Sequence, residues 1–171
     1  MSQKCLTQKP SWDGSCDDCN YKNCDDCKKT HKVIGIVGNR TGWDLLEVFE
    51  NLKQTGLVTK DDAIVSGGAM GVDTFAQIYA RENGIPILIC YPDPKKASPE
   101  RFYDRNGTIA RLSDTLIAFN LKNARTGTYN TMMQAKKMGK KVIVFEKGQG
   151  GIRCMTNQKG AKLMEFVGDK K

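Results

Sequence analysis

Cys16, Cys19, Cys24 and Cys27 form two C-x-x-C hooks separated by four residues, with Cys5 upstream and His31 shortly after. Each hook bends two thiolates onto one ion, and four thiolates suit tetrahedral zinc or an iron–sulfur cluster. Structural zinc is the expected occupant, and the short gap makes the module compact. His31 is the only histidine, and its place in the Lys28 to Lys32 linker reads as surface. With no second histidine, Ser-His-Asp or Cys-His catalysis has little support.

A second set of chemistry-bearing residues is rich in glycine. Gly38-Asn39-Arg40-Thr41-Gly42, Ser66-Gly67-Gly68-Ala69-Met70-Gly71 and Gly127-Thr128 each follow a short apolar run and precede a helical pattern. Glycine lets the backbone approach a ligand closely, and the next helix aims free N–H groups at it. Phosphate is the natural guest of that arrangement. Arg40 adds a planar, bidentate donor for the same anion. The chain has no G-x-x-x-x-G-K-[ST] run, and the second loop lacks G-x-G-x-x-G. A P-loop NTPase and a standard dinucleotide enzyme are therefore disfavoured, and neither NAD nor flavin is expected.

The elements that must hold these loops alternate in type. Val33 to Val37, Ala63 to Val65, Pro86 to Cys90, Thr115 to Phe119 and Lys141 to Phe145 read as buried strands. Helical periodicity joins Leu45, Val48, Phe49 and Leu52, then Val72, Phe75, Ala76, Tyr79 and Ala80. Further helices are expected over Arg101 to Leu112 and through Met132, Ala135 and Met138, and a short terminal one near Asn157 to Val167. This pattern predicts an α/β, Rossmann-like three-layer fold with a five-stranded parallel sheet. Residues 1–31 form the expected knuckle, 32–147 the nucleotide-binding domain, and 148–171 a basic C-terminal segment.

Charge and composition bound the function classes. The net charge is +8, and residues 136–171 carry ten Lys and Arg against three acids, while the middle of the chain is balanced. That end reads either as a solvated tail or as a patch for single-stranded nucleic acid. No eighteen-residue apolar run and no apolar signal core near Met1 are present, so a cytoplasmic protein without membrane contact is expected. Seven cysteines, five of them before residue 28, suit a metal module in a reducing compartment better than a disulfide scaffold.

The loops also carry a likeness. Gly38-Asn39-Arg40-Thr41-Gly42-Trp43-Asp44, Ser66-Gly67-Gly68-Ala69-Met70-Gly71-Val72-Asp73, Arg105-Asn106 and Gly127-Thr128-Tyr129-Asn130-Thr131 resemble, in order and spacing, the motifs of the YspA-like branch of the SLOG superfamily. The resemblance spans about Val33 to Phe145. It implies a Rossmann-like, often homo-oligomeric domain that binds a nucleotide or nucleotide derivative, with the DNA-processing protein DprA and the LOG phosphoribohydrolases as relatives. By that resemblance Gly38, Asn39, Arg40, Ser66, Gly67, Gly68, Met70, Gly71, Asp73, Arg105, Asn106, Gly127, Thr128 and Asn130 line the site. Asn39 stands where the family usually has serine, which exchanges a hydroxyl donor for an amide.

Each residue also has a plainer reading. Asp73 in a first helical turn is favourable there without any ligand, or it accepts from a ribose hydroxyl. Trp43 and the methionines Met132, Met133 and Met138 read as packing. The residues favour a binding protein over an enzyme; an enzyme here would be a hydrolase of a nucleotide derivative. A DprA-like nucleic-acid binder and a LOG-like phosphoribohydrolase are the alternatives. The latter is disfavoured because Asn130 and Thr131 stand where that family's turn carries a carboxylate, which a developing sugar cation needs.

Overall fold

The computed structural model describes residues 32–158 and the backbone of 165–166. Cys16, Cys19, Cys24 and Cys27, with Cys5 and His31, lie outside the described residues, as do residues 159–164 and 167–171 of the expected basic segment. The elements run β1 (Val33–Gly38), α1 (Leu45–Thr55), β2 (Ala63–Ser66), α2 (Val72–Asn83), β3 (Ile87–Ile89), α3 (Glu100–Leu112), β4 (Thr115–Leu121), α4 (Gly127–Lys137), β5 (Lys141–Gly148), β6 (Gly151–Thr156) and the two-residue β7 (Glu165–Phe166).

One sheet takes them in the order β3-β2-β1-β4-β5-β6-β7. Strands β1 to β5 pair in parallel. Ile34, Ile36, Ile117, Phe119, Ile143 and Phe145 face the core shared with α1 and α2. Val37, Val65, Leu116, Ala118, Val142 and Val144 face the other, under α3 and α4. Burial on both faces is why these strands read as unbroken apolar runs. Trp43 packs edge-on to Phe119, whose ring stacks on Phe145.

The sheet does not stop at five strands. β6 pairs antiparallel with β5 from Ile143↔Thr156 to Gly148↔Gly151, carrying the sheet past residue 147. The terminal helix expected over Asn157 to Val167 is also corrected: Glu165 and Phe166 are strand, paired with Arg153 and Ile152. β6 is only half-buried, with Arg153 exposed on it. Such a half-buried strand lacks the apolar run that marked the others.

α1 is capped locally. The Asp44 carboxylate accepts from the Glu47 N–H at 2.8 Å, and Glu47 returns the bond to Asp44 N. That reciprocal pair is a capping box. No helix among the described residues is long and apolar enough to cross a membrane.

Candidate functional site

β1 and β4 are neighbours, but the chain leaves β1 toward β2 and leaves β4 toward β5. A crevice therefore opens between their carboxyl ends, the switch point where open α/β sheets bind ligands. Its volume is about 510 Å³. Of the residues expected at the site, Gly38, Asn39, Arg40, Asp73, Arg105, Asn106, Gly127 and Thr128 line it.

Asn39 holds the crevice together. Its Oδ1 accepts from Leu121 N at 2.7 Å, and its Nδ2 donates to Thr126 Oγ1 at 3.0 Å. Its own N–H donates to Phe119 O, and its carbonyl accepts from Val72 N. One buried side chain thus ties the β1 loop to the end of β4 and the entry of α4. Of the two amide protons expected to face phosphate, one is therefore taken by Thr126 Oγ1.

Arg105 reaches from α3 across to the second loop, donating from Nη1 to Gly67 O at 2.6 Å and from Nε to Asn106 Oδ1 at 3.1 Å. Burial pushes its ionisation below the ordinary guanidinium value, the charge of Asp73 raises it again, and nearby Arg40 lowers it. Two like charges facing one cavity repel until an anion lies between them. Asn106 completes this wall, donating to Gly127 O and to Asn130 Oδ1.

Asp73 is 4% exposed at the start of α2. Its Oδ2 accepts from Ala69 N at 3.2 Å, while Oδ1 is buried with no hydrogen-bond partner. Burial pushes its carboxyl above the ordinary 3.8; the Ala69 N–H, the Arg105 charge and the Gly38 and Gly67 backbone oppose that. A carboxyl that titrates higher when folded contributes stability that is complete below 3.8 and is lost as pH rises through its folded value. Thermal melts from pH 3 to pH 8 should show the native chain losing stability relative to Asp73→Asn across that interval. Parallel curves would remove this coupling.

Two helices end at the crevice without side-chain caps. Gly71 before α2 and Thr126 before α4 offer no capping bond, in contrast to Asp44 at α1. Val72 N at the start of α2 donates to Asn39 O; the other first-turn N–H groups take no side-chain cap, and both positive dipole ends remain for an acceptor.

The remaining expected residues lie around the crevice rather than on its lining. Gly67 supports Arg105 through its carbonyl. Gly71, at φ +80°, packs against the Arg40 backbone: a Cβ there would sit 2.4 Å from Arg40 O. Gly68 turns toward β3, where a Cβ would lie 2.6 Å from Ile89. Ser66 is fully buried with an unpartnered hydroxyl, and Met70 is 72% exposed. Asn130 accepts from Asn106 and from Gln134. Phe102, Tyr103 and Thr126 also line the crevice, though sequence reading did not select them. Phe102 falls at helical spacing with Ile109 on α3, as a packing residue would, and no motif marks Tyr103 or Thr126.

No protein-family model matches the chain, and no curated protein matches it. Among solved structures, DNA processing protein A (DprA) from Streptococcus pneumoniae is similar at a TM-score of 0.52 and 21% identity, over 66% of this chain and 50% of that one. DprA from Helicobacter pylori, in a structure concerned with its single-stranded DNA binding mode, is similar at 0.55 and 20% identity, over 75% and 72%. The chain has a DprA-like fold. The likeness is one of architecture, and this chain spans half the length of the Streptococcus protein. The sequence resemblance to the SLOG superfamily and these neighbours agree on that architecture.

Proposed function

We propose that this chain, as a YspA-like member of the SLOG superfamily, binds a nucleotide or phosphate-bearing nucleotide derivative in the crevice between β1 and β4. One observation carries this reading: two uncapped helix N-termini and two guanidinium groups, Arg40 and Arg105, converge on one cavity of about 510 Å³. That cavity is within the range for small-ligand sites. Phosphate satisfies the helix ends and relieves the repulsion between the arginines at once. Phe102 and Tyr103 offer a face for the base.

Calorimetry against a panel of nucleotides and nucleotide second messengers tests it with two variants. Arg40→Ala removes one charge-assisted contact, worth about 1.5–3 kcal/mol, and should weaken binding roughly ten- to a hundredfold. Gly127→Ala is the sharper probe. A Cβ at Gly127 would meet only Asn106 Nδ2, at 3.7 Å, so the helix start accepts it without strain. Stability should hold or rise by up to about 1 kcal/mol, since alanine is the better helix former. Binding should nevertheless fall roughly tenfold, because the methyl occupies the anion's approach. Equal binding by native and variant chains would place the ligand elsewhere.

A second reading, single-stranded nucleic acid binding, draws on the DNA-binding Helicobacter neighbour and on exposed Tyr91, Tyr103 and Met70, three large apolar side chains at the loop-bearing edge. Aromatic side chains of that kind stack on bases. Affinity for oligonucleotides that falls steeply with salt, with no nucleotide binding, would favour it. Separately, metal analysis of protein purified without added zinc should find one zinc per chain on Cys16, Cys19, Cys24 and Cys27. Iron with sulfide, or no metal, would overturn that assignment.

A further inference from the structure

A groove of about 390 Å³ runs between β3, which ends the sheet among the described residues, and α3. Leu88, Cys90 and Tyr91 line its strand side. Arg105 borders both this groove and the crevice, so the two spaces meet at one side chain. The nucleotide site proposed above uses only the crevice.

The helix side of the groove is cationic. Arg101, Arg105, Thr108 and Arg111 share one face of α3 by their spacing, and all four line the groove. Asp93, Lys96 and Asp104 line it too, and these largely answer one another. Lys96 bonds Asp104, while Asp93 and Glu100 act on the same ammonium. Three guanidinium groups remain. Arg105 has the charge of Asp73 on its crevice side, but Arg101 and Arg111 form no ion pair among the described residues. Arg101 lies over the Phe102 ring at 4.8 Å, and Phe102 lines the crevice. Burial pushes the Cys90 thiol up, and the charges of Arg105 and Arg111 both draw it down. Both guanidinium groups are therefore on the groove side of the helix, where the thiol lies.

Unpaired cations alone would suit any polyanion, an acidic peptide included. Tyr91 narrows the choice. It is 73% exposed, yet its ring is held in place against Gly68, where an added Cβ would lie 3.1 Å from it. A fixed, bare aromatic ring beside free guanidinium groups matches a base with its phosphate. The crevice and groove together, at about 510 and 390 Å³, are within the range of one extended small-molecule site. Resting on the nucleotide reading of the crevice, we infer that the ligand is a dinucleotide whose second half lies in this groove, its second phosphate on Arg101 and Arg111 and its second base on Tyr91.

Titration calorimetry tests this by comparing AMP with 5′-phosphorylated diadenylate, and GMP with 5′-phosphorylated diguanylate. In the native chain one of the dinucleotides should bind at least about tenfold more tightly than its mononucleotide. Arg111→Ala should bring the pair to within about twofold of each other. Tyr91→Leu should cost the dinucleotide about tenfold and Tyr91→Phe nothing, because stacking needs the ring and not the hydroxyl. Arg40→Ala should weaken both members of the pair in parallel and keep their ratio. All four variants alter exposed side chains, and circular dichroism verifies that they fold. Mononucleotide binding with no gain for the dinucleotide would overturn this inference and leave the crevice reading standing. A gain that survives Arg111→Ala combined with Tyr91→Leu would also overturn it. Binding of neither class would overturn both. Affinity that keeps climbing steeply up to oligomers of about twelve nucleotides would replace the dinucleotide by single-stranded nucleic acid.

Discussion

An Arg105→Met variant should lose nucleotide binding roughly a hundredfold and should also melt several degrees lower. The binding loss follows from removing one of the two charges at the crevice, a charge-assisted contact worth up to about 3 kcal/mol. The stability loss has a separate origin. Arg105 Nη1 holds Gly67 O at 2.6 Å, and its charge is one of the influences that keep the buried Asp73 carboxyl from rising further. Methionine preserves the hydrophobic stem but leaves a carbonyl without its donor and a carboxyl without its cation. A deleted bond to a charged donor costs about 1.5–3 kcal/mol, and at roughly 2–4 °C per kcal/mol for a chain of this length the melt should drop by about 5–10 °C. Arg105→Lys should recover part of the binding, because charge returns while the planar fork does not. Scanning calorimetry and nucleotide titration on the three proteins decide the matter. Unchanged affinity in Arg105→Met would remove the anion site from this crevice.

Gly71→Ala should be the most damaging single methyl among the described glycines. Gly71 has φ +80°, and a Cβ there would lie 2.4 Å from Arg40 O and 2.6 Å from Asn39 O, both backbone atoms with no rotamer to change. The conformational strain costs about 1–3 kcal/mol and the overpacking a similar amount, so roughly 2–5 kcal/mol is expected in all. The first and second loops must part for the methyl to fit, and Arg40 moves with them. Chemical denaturation should show the lower midpoint with an unchanged slope. Full native stability would mean that Gly71 is free to adopt another backbone conformation.

What sequence disclosed and what it hid divide along burial. β1, β2, β4 and β5 were legible because residues such as Ile36, Val65, Ile117 and Val144 are covered on whichever face they point to, which leaves an apolar run in the chain. β6 was not, because a half-buried strand alternates Ile152, Arg153 and Cys154 with no comparable run. The site followed a similar rule. The glycine loops declared themselves as turns at strand ends, and eight of the expected residues meet at the crevice. The direction in which each loop turns is set by packing that no local pattern encodes. Gly68 therefore lies over Ile89 and Tyr91 rather than on the crevice lining. Asn39 read as a ligand contact because its position in the motif was visible, while its partners, 82 and 87 residues away at Leu121 and Thr126, were not.

Those sequence separations bear on how the protein comes to be. A side chain whose partners lie more than eighty residues away gains nothing until the intervening chain has been gathered, and closing so long a loop is among the later rewards of folding. The Asn39 bonds are therefore expected on the downhill side of the folding barrier, so Asn39→Ala should speed unfolding more than it slows folding in stopped-flow kinetics. A molecule bound there recognises the finished protein alone. It slows the escape from the native state and leaves the rate of reaching it nearly untouched. On the proposed reading, occupancy would then set lifetime against proteolysis, with the free form turned over and the loaded form kept.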